Sequence, residues 1–121
     1  PLHLRTSRQH MGQAAEELAA QHLEQQKFTV VARNYRHGRA EVDLIARRDK
    51  LLLFVEVKAR SSDRFGHPET FVSPQQQERL QEAAEQYVIT HNWAHAIRFD
   101  IIGIYFQQGG TPTLDHFEDA F

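Results

Sequence analysis

The chain has 121 residues, with 14 Lys and Arg side chains against 16 Asp and Glu and a formal net charge of −2. This balance argues against a protein whose whole surface wraps nucleic acid. Cysteine is absent, which excludes a disulfide framework and a thiolate zinc site. The length fits one domain, and no apolar run or leader pattern indicates a membrane span or a signal peptide. We therefore expect a soluble cytoplasmic protein.

The first half of the chain predicts an arm, a helix and three strands. Residues 1–10 lack periodicity and are expected to form a flexible arm, which leaves residues 11–121 as one domain. A helix is predicted over residues 11–26, because apolar side chains recur at helical spacing. Its stripe comprises Ala15, Leu18, Ala19 and Leu23. The strands are predicted over residues 28–33, 40–46 and 53–59, the first followed by a turn at His37-Gly38.

The second half predicts a loop, a second helix and a fourth strand. The loop spans residues 60–73 and contains Gly66 and Pro68. Ser73 as N-cap and Pro74 in the first turn predict a helix that ends near residue 91. A strand is predicted over residues 97–106, and residues 114–121 receive no assignment. The order helix, three strands, helix, strand predicts an α/β fold with a central mixed sheet flanked by helices.

Charged side chains fall inside two of the predicted strands. Because side chains alternate along a strand, Glu41, Asp43 and Ile45 should share one face, and Val42, Leu44 and Ala46 the other. In the next strand Phe54, Glu56 and Lys58 should share a face. A carboxylate in a half-buried sheet is costly unless it is paired or binds a metal. A functional role therefore explains these acids better than packing does.

A hairpin brings the acids together. The polar segment 47–50 is short enough to form the loop of this hairpin, whether the loop contains two or four of its residues. Asp43 then falls opposite Glu56, or within about two positions of it, on the same face. Hard oxygen ligands of this kind suit Mg²⁺ or Mn²⁺. Lys58, one step along, could orient a water beside a phosphate.

The pattern Asp43…Glu56-Val57-Lys58 resembles the signature of the PD-(D/E)xK nucleases, which include restriction enzymes and Holliday-junction resolvases. A wider set of motifs resembles the bacterial YraN family (UPF0102) in order and spacing. These motifs are Gly12-x-x-x-Glu16, Asn34-Tyr35-Arg36, Glu41-Val42-Asp43-Leu44-Ile45, Phe54-Val55-Glu56-Val57-Lys58-x-Arg60, Phe65-Gly66 and Arg98-Phe99-Asp100. The chain departs from the family at Ala40, usually Gly, and at Gln76, usually Lys.

The resemblance implies a restriction-endonuclease-like core and a role for each site residue. Asp43 and Glu56 would hold Mg²⁺ or Mn²⁺, aided by the Val57 carbonyl and by Glu16, while Lys58 would orient the attacking water. Glu17 points away from the apolar stripe, so Glu16 is the better helix acid. The candidate phosphate contacts are Arg36, Arg39, Arg60 and Gln76. By analogy with resolvases, a homodimer would address two strands.

Structural alternatives stay open for these residues. Asp43, Glu56 and Lys58 could form a salt-bridged triplet that fixes strand register. Glu16 could be an ordinary boundary glutamate. Glu41 could carry a second cation or pair with Arg36 or Arg39. Asp100 is expected to form a salt bridge that positions the last strand. The phenylalanines of the tail, Phe117 and Phe121, hint weakly at a docking edge.

Charge is unevenly distributed along the chain. Residues 33–64 carry nine basic and five acidic side chains, and residues 74–121 carry two basic and seven acidic. The basic part contains the proposed site, which suits a local grip on phosphates. The sequence thus predicts a metal-dependent endonuclease acting on DNA, with branched DNA among the candidate substrates. The alternatives are a non-catalytic nucleic-acid-binding or scaffold module and a protein-interaction domain.

Overall fold

Five strands form one mixed sheet whose spatial order follows the chain. The computed structural model describes residues 7–61 and 72–121, with side chains from residue 10. Its elements are α1 (Ser7–Gln25), β1 (Thr29–His37), β2 (Ala40–Arg48), β3 (Leu51–Arg60), α2 (Pro74–Thr90), β4 (Ala96–Tyr105) and β5 (Thr113–Phe117). Neighbouring strands are antiparallel except β3 and β4, which are parallel and joined through α2. The predicted α/β fold, with helices flanking a mixed sheet, is confirmed.

Each helix covers one face of the sheet. α1 buries Ala15, Ala19 and Leu23 against the aliphatic residues of β2, β3 and β4, and its small alanines let the helix approach closely. α2 buries Leu80, Ala83, Ala84 and Tyr87 against the other face. There the ring of Phe54 packs edge-on to that of Tyr87, with centroids 5.9 Å apart. Both apolar helix faces predicted from the sequence are therefore buried.

Several predicted boundaries were wrong. α1 begins at Ser7, so the last four residues of the predicted arm are helical; residues 1–6 lie outside the described range. β1 extends to His37. The tail contains a strand, β5, that the sequence did not predict. Within the predicted loop, residues 62–71, including Gly66 and Pro68, lie outside the described residues.

The tail rings also have a packing role. Phe117 and Phe121 pack against the core cluster beneath α2, and the ring of Phe121 stacks on that of Phe99 with centroids 5.2 Å apart. Because this packing accounts for both rings, the predicted docking edge has no support from their position.

Strict side-chain alternation breaks at the level of Asp43. Val42 packs beneath α2, whereas Leu44 packs beneath α1, so the prediction that these two share a face was wrong. On the neighbouring strand, Asn34 lies opposite Asp43 and adopts a left-handed backbone with φ of +52°. Asparagine tolerates this conformation better than most residues.

The N-cap of α2 provides a stability test. Ser73 has an extended backbone, and its hydroxyl accepts a hydrogen bond from the Gln76 amide at 3.1 Å. We expect Ser73→Ala to lower the free energy of unfolding by about 1 kcal/mol, measured by urea denaturation. Ser73→Asp should retain the cap. Equal losses in the two variants would contradict this role.

Candidate active site

Two carboxyl groups meet where β2 separates from β3. The regular pairing of these strands begins at Leu44 and Val55, and continuing its register places Asp43 opposite Glu56. Instead of a backbone bond at this level, the Val57 amide donates to Asp43 Oδ2 at 2.7 Å. The carboxyl groups of Asp43 and Glu56 line the same cleft and lie close enough for the charge of Glu56 to act on Asp43.

Burial and mutual repulsion make this pair hard to ionise. Burial, followed by the charge of Glu56, raises the pKa of Asp43 to about 8, against the opposing hydrogen bond from Val57. Burial also raises the pKa of Glu56, although the positive charge of Lys58 acts to lower it. Without a cation, the pair therefore retains a proton at neutral pH.

Lys58 lies beside the pair. Its Nζ is 3.7 Å from Glu56 Oε1, and the two side chains are 16% and 10% exposed. This contact is too long for a strong hydrogen bond, and it does not bring the pKa of Glu56 down to its ordinary value. The half-buried ammonium group thus stands next to the carboxyls without neutralising them.

Glu16 and Glu41 form an adjacent acidic pair. In the orientation that satisfies its hydrogen bonds, the Asn34 amide donates to Glu16 Oε1 at 3.1 Å and to Glu41 Oε1 at 3.0 Å. Burial, and then the charges of Asp43 and Glu41, raise the pKa of Glu16. Glu17 is exposed, as expected for a residue opposite the apolar stripe, and it pairs with Arg33 at 2.9 Å.

A cleft of about 410 Å³ opens above the central pair. Its lining residues are Arg39, Ala40, Glu41, Asp43, Glu56, Ser73, Gln75, Gln76, Arg79 and Leu80. Glu16 is not in this lining; it faces a neighbouring depression that also contains Glu41. The sheet floor and the start of α2 therefore enclose Asp43 and Glu56, and Glu16 approaches from the side of α1.

The structure separates the predicted phosphate contacts. Arg39 and Gln76 line the cleft. Arg36 is exposed and pairs with Glu41 at 3.7 Å, which is one of the two alternatives left open for that glutamate. Arg60, four residues beyond Glu56 on β3, is absent from the cleft lining and donates to the Ala59 carbonyl at 2.8 Å.

Part of the basic segment lies away from the site. Arg47 and Arg48 end β2, and Lys50 lies in the turn that follows. Arg48 is about 16 Å along the strand from Asp43 at the usual rise per residue. The Arg47 guanidinium lies over the Trp93 ring, and that of Arg48 over the Phe28 ring. The positive charge of this segment is therefore divided between the site, where Arg39 lies, and the far end of the hairpin.

The site offers part of the donor set that a divalent cation needs. Among the described residues, no three His, Cys, Asp or Glu side chains already stand in a metal-binding arrangement. Asp43 and Glu56 nevertheless supply two carboxyl groups to the same cleft. Their chemistry fits Mg²⁺ or Mn²⁺, which prefer oxygen ligands and complete their shell with water.

Residues 15–104 match the family described as "Uncharacterised protein family UPF0102". The chain belongs to the UPF0102 family. A UPF0102 protein of Christiangramia forsetii is 40% identical over 111 residues, which cover 92% of each chain. One from Cytophaga hutchinsonii is 43% identical, over 77% of this chain and 82% of the relative. One from Streptomyces coelicolor is 39% identical, over 88% and 84%.

The part matched to UPF0102 contains the whole candidate site, from Glu16 to Arg79. Sequence reasoning assigned no role to two residues of this site. Asn34 appeared in a family motif, and its position opposite Asp43 was the available signal. Arg79 lies three residues after Gln76, on the same side of α2, and helical spacing could have identified it. Within the described ranges, no helix is long and apolar enough to cross a membrane.

Proposed function

We propose that this UPF0102 protein is a metal-dependent endonuclease that hydrolyses phosphodiester bonds in DNA. The observation that supports this proposal best is the buried Asp43–Glu56 pair, which keeps a raised pKa although Lys58 lies beside it. A structural salt bridge would normally lower the pKa of its acid. This combination supports a cation site at the pair, and the α/β arrangement around it is consistent with a restriction-endonuclease-like core.

Each residue has a distinct role in the proposed reaction. Asp43 and Glu56 would hold Mg²⁺ or Mn²⁺, which when bound supplies positive charge to the phosphate and its leaving oxygen. Glu16 would act on the same site through water. Lys58 would orient a water for in-line attack, so that a new phosphorus–oxygen bond replaces the bond to the leaving sugar oxygen.

Cleavage of labelled single-stranded, duplex and branched DNA in Mn²⁺ or Mg²⁺ tests this function. We expect Lys58→Ala to lower the cleavage rate about 10²- to 10³-fold while Mn²⁺ affinity stays within about twofold, because Lys58 acts on the water. Asp43→Asn should abolish both. Lys50→Ala, at the distant turn, has the same charge change and should retain full activity. Full activity of Lys58→Ala would contradict the proposed role.

A second candidate function is a non-catalytic nucleic-acid-binding module on the same fold. The observation that favours it is the uncharged Gln76 in the cleft, at a position where the resemblance to the YraN family leads us to expect lysine. If the protein is such a module, the wild type and Asp43→Asn should bind DNA with equal affinity, and neither should cleave it in Mn²⁺ or Mg²⁺. The homodimer stays a prediction. If the wild type cleaves branched DNA at two strands but single-stranded DNA equally well, a dimer is not required for cleavage.

A further inference from the structure

Two arginines line the cleft from separate elements. Arg39 lies in the turn between β1 and β2, and Arg79 lies in the second turn of α2. Both belong to the lining that contains Asp43 and Glu56. Arg39 is exposed and Arg79 is half-buried. The cleft therefore has a floor of carboxyl groups and two guanidinium groups in its walls.

Neither guanidinium is engaged within the described part of the chain, where no ion pair or side-chain hydrogen bond involves Arg39 or Arg79. Other arginines differ: Arg33 and Arg98 hold carboxylates, and Arg48 covers an aromatic ring. The nearby Glu41 forms its ion pair with Arg36 and not with either of the two cleft arginines. Their donors are thus available to a ligand.

The arginines also line another depression, of about 380 Å³, which is not the one that contains Glu16. Arg39, Ala40, Gln75 and Arg79 line both spaces, which therefore adjoin at these residues. The depression is also lined by Glu78 and Glu82. The two arginines thus lie between the carboxyls of the cleft and the acids of the depression, and an anionic strand would find its best contact at the arginines.

The start of α2 adds to this contact. No acidic residue lies in its first turn, although acids are favoured there by the partial positive charge of a helix N-terminus. Gln76 is one turn before Arg79 and lines the same cleft, so its amide can donate alongside the guanidinium. An arginine fork matches the oxygen geometry of a phosphate group.

We propose that Arg39 and Arg79 together bind a backbone phosphate of the nucleic-acid strand, next to the phosphodiester held at Asp43 and Glu56. This inference rests on the proposed endonuclease function and makes Arg79 a substrate-binding residue of it. The arginines offset the repulsion between the acidic floor and the strand, and they position the scissile phosphate by holding its neighbour.

The test is binding of a fluorescein-labelled single-stranded oligonucleotide, followed by anisotropy in EDTA over a range of salt concentrations. Losing one phosphate contact should reduce the slope of log K against log salt by about 0.7 and weaken binding about fivefold near 0.1 M salt. We expect this for Arg79→Ala and for Arg39→Ala, and about the same slope change for both together, because the two arginines share one phosphate. Arg79→Lys should retain most of the affinity, and Lys50→Ala is the charge-matched control.

The outcomes separate this inference from the proposed function. If wild type binds with the predicted slopes but never cleaves in Mn²⁺ or Mg²⁺, the endonuclease proposal fails and the arginine contact is supported. If wild type cleaves, yet Arg79→Ala and Arg39→Ala match Lys50→Ala in affinity and slope, the arginine contact is overturned. A loss of affinity in Arg79→Ala without a change in slope would also overturn it, because the residue would then act on structure.

Discussion

Replacing Asp43 with asparagine should stabilise the metal-free protein at about pH 9 and abolish its affinity for Mn²⁺. The pKa of Asp43 is raised from 3.8 to about 8 by burial and by the charge of Glu56. At ~1.4 kcal/mol per pH unit, this difference corresponds to a limit of about 6 kcal/mol. Because part of the shift comes from the charge of Glu56, which the variant retains, we expect about half of that limit, ~3 kcal/mol.

The sign follows from the raised pKa. Protonation of Asp43 contributes stability that is fully present below its unfolded pKa and is lost as the pH rises through the folded value of about 8. Asparagine cannot ionise, so the variant lacks this loss. Its advantage over wild type should therefore grow from near zero at about pH 4 to its full size at about pH 9.

Urea denaturation in EDTA at several pH values measures this effect. Asp115→Asn removes an exposed carboxylate of β5 and serves as the control, with an expected change within about 0.5 kcal/mol. Added Mn²⁺ should stabilise wild type, by about 2.7 kcal/mol at one hundred times its Kd, and leave Asp43→Asn unchanged. Equal pH dependence in wild type and Asp43→Asn would show that the carboxyl is not strained.

Replacing Asp100 with alanine should be the most destabilising of these substitutions, at about 4 kcal/mol. Its carboxylate is fully buried and accepts four hydrogen bonds. Two come from Arg98, at 2.8 and 2.9 Å, one from His116 Nε2 at 2.7 Å and one from the Asp119 amide at 3.0 Å. The predicted salt bridge of Asp100 is thus present, and it joins β4 to β5 and the tail.

The network extends to α1, since His116 Nδ1 and His22 Nε2 are 3.0 Å apart. Burial acts to raise the pKa of Asp100, but the hydrogen bonds from His116, Arg98 and Asp119 outweigh it and lower the pKa. The carboxylate therefore contributes stability at neutral pH that is lost as the pH falls through its folded pKa. Removing it leaves the Arg98 and His116 donors without their acceptor.

Thermal and urea unfolding of Asp100→Ala at neutral pH check this prediction. Asp115→Ala, on the exposed side of β5, is the matched control and should change stability by less than about 0.5 kcal/mol. Asp100→Asn keeps the shape but not the charge, so we expect an intermediate loss. An Asp100→Ala variant as stable as Asp115→Ala would show that the network contributes nothing net.

Local patterns predicted the elements close to the site. The hairpin of β2 and β3 is short-range, so its turn residues and alternation were enough to place Asp43 opposite Glu56 and Lys58 beside them. The structure reduces the turn to Asp49 and Lys50, one of the two lengths expected. The strand β5 was missed because its five residues are exposed or only half-buried and carry weak alternation.

The positions of residues on different elements were harder to predict. Glu16 was expected to support a metal at Asp43; it lies in the neighbouring depression, where the charge of Asp43 still raises its pKa. Arg79 enters the cleft and Arg60 does not. Helical or strand periodicity indicates which face of an element a residue occupies, but it carries no information about the distance between two elements.

The sequence by itself determined the α/β class, the two amphipathic helices and the pairing of Asp43 with Glu56, because each depends on residues close in the chain. Only the tertiary structure decided how the site is enclosed. The docking of α2 across the sheet forms the cleft, buries the two carboxyls and raises the pKa of Asp43. The burial of a carboxyl group and the repulsion it experiences depend on every element that surrounds it. Periodicity along one strand gives no information about either.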